Sequence, residues 1–162
     1  MSTDPAPRVL GAEEGEAFWF FGGLLIIKTS ALEPGGRYAL TEQLLSRGTA
    51  TPLHRQPEDD ESFYVLEGEL TFYLEGGQPM LASAGSFVHA PAGAAHAYQV
   101  DSETARILTV TTAQHERFFR AASDPAQARA IPPQAQPDME KVMAAAQEYG
   151  VEILGPPPGG PA

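Results

Sequence analysis

Two histidines, a carboxylate and an amide stand at intervals that a small β fold can gather around one metal ion. His54, Gln56 and Glu61 fall within the stretch Gly48–Gly68, and His96 ends the stretch Gly85–His96. Imidazole nitrogens and a carboxylate are donors that divalent first-row metals bind well. His54 and Gln56 are two apart, so on an extended segment both side chains leave from one face. Glu61 opens the strand-like run Ser62–Leu66 and is expected to meet them from the neighbouring strand. His96 is expected from a more distant strand, which only a closed or folded-over sheet supplies.

The elements that must position these residues read as short strands. Phe18–Ser30 is a strand pair or one bent strand, interrupted by Gly22 and Gly23. Glu33–Arg37 is a turn signal, and Tyr38–Ser46 beyond it alternates like a strand. Arg47–Asp60, with Pro52 and Pro57, reads as a loop carrying the first ligands. Strands are predicted at Glu61–Leu66, Leu70–Leu74, Pro79–Ala82, Ser86–Ala90, Ala95–Val100 and Ala105–Thr112. Many short strands without a βαβ rhythm indicate an all-β jelly-roll barrel.

After Thr112 the pattern changes. Gln114–Ala122 suits a helix that Asp124-Pro125 closes. A second helix is predicted over Met139–Tyr149, capped by Asp138 and stopped by Gly150, with Met139, Val142, Met143 and Ala146 on its docking face. The chain thus divides into a loose lead-in (1–15), a barrel (16–113) and a helical extension with a Pro/Gly-rich tail (114–162), within one structural domain. That tail, from Gly155 on, is expected to fray.

Composition limits the partners. The chain has 162 residues, 10 basic and 21 acidic, for a formal net charge of −11. Nucleic acid and anionic membranes would be repelled. No cysteine is present, so disulfides and thiolate metal sites are excluded. Phe18–Ile27 is apolar but about half the roughly 20 residues a spanning helix needs, and Arg8 alone precedes it as a basic residue. A soluble, cytoplasmic protein is expected.

The spacing itself has a family resemblance. Gly48 is followed after five residues by His54, then after one by Gln56, after four by Glu61 and after six by Gly68. The second stretch runs Gly85, five residues, Pro91, one, Gly93, two, His96. This resembles the paired signature of the cupin superfamily, departing from it at Gln56, usually His, and at Val100, usually Asn. More narrowly, Phe18–Leu24 and Val151–Pro157 resemble bacterial single-domain cupins of the quercetin-dioxygenase-like type. The resemblance implies a double-stranded β-helix holding one divalent transition metal (Fe, Ni, Co, Mn or Zn). Its ligands would be His54, Gln56, Glu61 and His96. A neutral amide at 56 is a weaker ligand than imidazole and would leave a more open coordination sphere, or mark a cupin without its metal.

Three functions follow as alternatives: a dioxygenase of a flavonol-like or other aromatic or enol substrate, a metal-assisted isomerase or lyase, and a small-molecule binder. In the first, Glu61 accepts the substrate's proton and needs a raised pKa, which a dry pocket favours. Phe63 and Tyr98 alternate with Glu61 and His96 and are expected to line that pocket. Phe72 and Phe87 are expected in the core. His89 and His115 are read as structural or exposed, and Glu58, Asp59 and Asp60 as a solvated loop. A homodimer is expected through Phe18–Phe21 and Leu24–Ile27, too apolar a run to face water.

Overall fold

Period-two alternation dominates the structure. In the strand Ala39–Ser46 every second side chain, from Ala39 through Thr41 and Gln43 to Leu45, is buried. The computed structural model describes residues 6–133 and 136–160. The start of the expected lead-in, the middle of the Ile131–Pro137 linker and the last two residues of the tail lie outside that range.

Among the described residues, twelve strands and two helices follow in order. They are β1 (Glu16–Phe20), β2 (Gly23–Thr29), β3 (Ala39–Ser46), β4 (Leu53–Arg55), β5 (Glu61–Glu67), β6 (Glu69–Leu74) and β7 (Met80–Ser83). Then come β8 (Phe87–Ala90), β9 (His96–Val100), β10 (Thr104–Thr111), α1 (Ala113–Ala121), β11 (Asp124–Pro125), α2 (Met139–Tyr149) and β12 (Glu152–Gly155). One sheet runs β11-β1-β2-β3-β10-β5-β8 and the other β12-β4-β9-β6-β7, with every pairing antiparallel. From β3 to β10 the chain crosses between the two sheets at every step except β6 to β7, as in a jelly roll. Leu45, Phe63, Val65 and Ile107 from the first sheet meet Leu70, Phe72, Tyr98 and Val100 from the second.

A second core lies under the helices. Phe20, Leu25 and Ile27 pack against Phe118 and Phe119 of α1, Val142, Ala145 and Ala146 of α2, and Val151. α1 starts where β10 ends, capped by Thr112, whose hydroxyl accepts from the His115 backbone N–H. Gly150 closes α2 in the left-handed region at φ 74°.

Several expectations change here. Of the run invoked for pairing, Leu24–Ile27 is buried within the chain at 4% exposure or less, while Phe18, Trp19 and Phe21 are half-buried, Trp19 donating to the Ala130 carbonyl. The docking face of α2 is Val142, Ala145 and Ala146, while Met139 and Met143 are exposed. The small alanines let α2 approach its neighbours closely. Phe87 is not core but 65% exposed, because it faces outward at an edge strand. Asp59 is buried, accepting from the Thr112 hydroxyl at 2.5 Å. Part of the supposed loop and of the supposed tail pair with each other as β4 and β12. Among the described residues, no helix is long and apolar enough to cross a membrane.

Candidate metal centre

The site begins with one cross-strand pair. His54 on β4 stands directly opposite His96 on β9, and their ring centroids lie 4.4 Å apart. His96 therefore comes from the strand beside His54, not from a remote one. Glu61, expected from the adjacent strand, instead begins β5 in the other sheet and reaches across the barrel. One donor atom from each of His54, Glu61 and His96 lies within 4.8 Å of the other two.

Backbone carbonyls set the tautomers of both imidazoles. His54 Nδ1–H donates to the Pro52 carbonyl at 2.8 Å, and His96 Nδ1–H to that of Ala94 at 3.0 Å. A carbonyl only accepts, so each Nδ1 carries the proton and each neutral ring keeps its lone pair on Nε2. His96 Nε2 lies 3.1 Å from Glu61 Oε2. A lone pair facing a carboxylate oxygen needs a proton or a cation between them.

The electrostatics agree with this donor set. Burial and the nearby His96 push the His54 pKa down to about 4, so its ring is neutral near pH 7. Burial would lift the Glu61 pKa, but His115 and His96 outweigh it and hold the carboxyl well below its ordinary value. The raised pKa expected from a dry pocket is thus overturned by those two imidazoles. On His96 burial opposes charge, but the Glu61 carboxylate prevails and raises its pKa. A divalent metal would take the place of the proton that Glu61 favours on His96 Nε2, and two imidazoles with inward lone pairs beside one permanent carboxylate then suit it.

Gln56 reaches the group in a different role from that expected. Its Nε2 donates to Glu61 Oε2 at 2.9 Å. The ionised carboxylate can only accept, so the amide turns its nitrogen, not its oxygen, to Glu61.

His115, read from sequence as structural or exposed, lies 2% exposed beside Gln56 with Nε2 3.4 Å from Glu61 Oε1. No motif marks it; the only sequence signal was its place at the start of a helix following the last barrel strand. His89 is exposed on β8 and meets Ser62 at 2.9 Å.

Above the group is a cavity of about 40 Å³, room for only a few waters. Phe63, Tyr98, Thr51 and Gln43 line its barrel side, and Phe118, Phe119, Val142 and Ile153 its outer side. Phe63 and Tyr98 stand edge to face at 6.0 Å. Among the residues lining this cavity, Glu61 is the one carboxylate.

Two facing antiparallel sheets, with an imidazole pair on one and a carboxylate on the other, define a jelly-roll protein equipped to hold a metal. The cupin domain family matches residues 41–111, so that stretch, which spans both motifs, is a cupin domain. It is 28% identical over 127 residues to quercetin 2,3-dioxygenase of Bacillus subtilis (strain 168). That alignment covers 78% of this chain but only 37% of the relative, so this chain spans little more than a third of that protein's length. The polyketide cyclase RemF from Streptomyces resistomycificus superposes with a TM-score of 0.59 at 22% identity, covering 67% of this chain and 80% of RemF. A cupin-like protein from Thermotoga maritima gives 0.55 at 14% identity, covering 86% of this chain and 80% of the other. At such identities the two structures establish the fold alone.

Proposed function

We infer that this cupin is a metal-dependent enzyme acting on a small aromatic or enolic substrate, and specifically a dioxygenase. The observation that carries the reading is the placement of His54 and Glu61, with His96 against both, at the floor of an apolar, aromatic cavity. The likeness to a quercetin 2,3-dioxygenase supports the choice of substrate class and of dioxygen as co-substrate. His54, Glu61 and His96 would hold the metal, and Fe, Ni, Co, Mn and Zn all suit such a set. Bound there, it would supply Lewis acidity toward a substrate oxygen and, if redox-active, open positions for dioxygen.

The residues of the chain have separable tasks. Phe63 and Tyr98 shape one wall around a flat ring, and Phe118 and Phe119 close the other and exclude water. The cavity is narrow, so a ring-sized substrate enters by displacing side chains on the helical wall. Glu61, as the carboxylate of the cavity, is the proton acceptor for the substrate's hydroxyl. Its depressed pKa makes it a ligand first and a base only toward an acidic enol or phenol.

The test is oxygen uptake together with loss of substrate absorbance, on protein loaded in turn with Fe, Ni, Co and Mn. The substrates range from single-ring enols to flavonols. Consumption of oxygen with one metal–substrate pair is the expected result. Metal-loaded protein that consumes none with any of them rules out the dioxygenase and leaves an isomerase, lyase or binder at the same site.

A further inference from the structure

Glu61 is gripped from two sides. On one face, His96 Nε2 stands 3.1 Å from Oε2. On the other are Gln56 and His115, both buried at 2% exposure or less, His115 outside the metal group and Gln56 turning its amide nitrogen to the carboxylate. Gln56 Nε2 donates to Glu61 Oε2 at 2.9 Å and lies 3.0 Å from His115 Nδ1 and 2.8 Å from His115 Nε2. Of the two ring nitrogens, Nε2 is the one recorded near Glu61, at 3.4 Å from Oε1. A proton on Nε2 serves that oxygen and leaves Nδ1 to accept the second amide hydrogen of Gln56. Both amide hydrogens of Gln56, both ring nitrogens of His115 and both oxygens of Glu61 then have partners, as a buried network requires. The tautomer is assigned from these partners.

The helical cap supplies this arrangement. Thr111 ends β10 with its hydroxyl donating to the Asp60 carbonyl, one residue before Glu61. Thr112 caps α1 and donates to Asp59, so the first turn of the helix is tied to the segment leading into β5. His115 is held on this turn with its ring stacked on Phe118 at 5.2 Å and edge-on to Phe119 at 4.5 Å.

We propose that Gln56 and His115 form a single outer clamp that orients the Glu61 carboxylate toward the metal, making α1 part of the metal centre. Both are positioning residues, and the assignment rests on the reading of His54, Glu61 and His96 as the metal site. It also accounts for an amide at position 56: glutamine can donate to a carboxylate and an imidazole at once, which a ligating histidine there would not do.

The experiment measures Co(II) affinity by chelator competition for wild type, Gln56→Leu, His115→Phe and the double variant, with thermal melting to confirm folding. His115→Phe keeps the aromatic stacking and removes both nitrogens. Loss of such an outer partner typically weakens binding by about 10–100-fold, and that loss is expected in each single variant. The double variant should be no weaker than the worse single, because both residues act through one carboxylate. Copper(II) EPR should show the same number of coordinated imidazoles in wild type and His115→Phe.

Unchanged affinity in both single variants overturns the clamp. So do fully additive losses, and so does a coordinated nitrogen that disappears with His115, which would make it a ligand. Should His115→Phe fail to fold, His115→Gln and Gln56→Leu carry the same comparison. Wild type that takes up no metal removes the metal site itself, and the clamp with it. Wild type that binds while the variants match it removes the clamp alone.

Discussion

The barrel and the helical cap contribute to one site in opposite ways. The barrel holds its groups by strand pairing: His54 and His96 face each other because β4 and β9 are in register there. Ladder register is rigid, since a one-residue slip would turn either imidazole to the other face. The cap holds His115, Phe118 and Phe119 by helix capping and apolar packing against β1 and β2. Capping interactions are worth about 1 kcal/mol each, and helical packing yields locally before a sheet does. A ligand set on the rigid half and a wall on the softer half give fixed metal geometry beside an adaptable cavity.

The largest effect should come from the residue both halves grip. Glu61→Gln keeps the shape but cannot accept a proton, and loss of a general base costs about 10²–10⁴-fold in rate. In reloaded protein, turnover of an active enol substrate should fall by that factor while the substrate still binds. Equal turnover in the variant would move the proton-accepting role elsewhere.

Acid should strain the barrel side first. The His54 pKa is about 4 in the folded chain against 6.5 ordinarily. Between those values the unfolded chain binds a proton there that the folded chain does not, so metal-free stability should fall as pH drops from about 6.5 to about 4. The loss is on the order of 3 kcal/mol. Glu61, its pKa depressed, adds a further loss at lower pH. His96, its pKa raised, works in the opposite sense, its contribution fading as pH rises through its folded value. Denaturant melts of wild type and His54→Gln across pH 4–7 isolate the His54 part; identical slopes would show that His54 is not buried neutral.

The difference between the two halves also decided what could be read from the residues. His54, Glu61 and His96 stand at motif intervals, and most strand positions follow from alternation and turn residues. Phe63 and Tyr98 follow from their phase with Glu61 and His96. His115 has no interval to betray it: it reaches Glu61 only because Thr112 starts a helix where β10 ends beside β5. The same holds for Asp59, whose burial depends on that helix, and for the α2 face, which small alanines rotated away from the larger methionines. β4 and β12 were missed because three- and four-residue strands carry too little alternation.

The smallest effects should come from the cap's termini. Thr112→Ala removes the hydroxyl that caps α1 and meets Asp59, and should cost about 0.5–2 kcal/mol. Gly150→Ala places a side chain in the left-handed region, with its Cβ 3.0 Å from Gln114 Nε2, and should cost about 1 kcal/mol. Chemical denaturation measures both. Hydrogen exchange should show faster opening in α1 and α2 with the barrel amides unchanged, and equal acceleration in both regions would mean that cap and barrel unfold as one unit.

The most direct measurement is metal content by elemental analysis, on wild type, His54→Ala and His96→Ala, each loaded with Co(II) and freed of excess. About one equivalent per chain is expected in wild type and almost none in either variant, because a three-ligand set that loses an imidazole retains too few donors. Full occupancy in both variants, or none in the wild type, would contradict a metal centre at His54, Glu61 and His96.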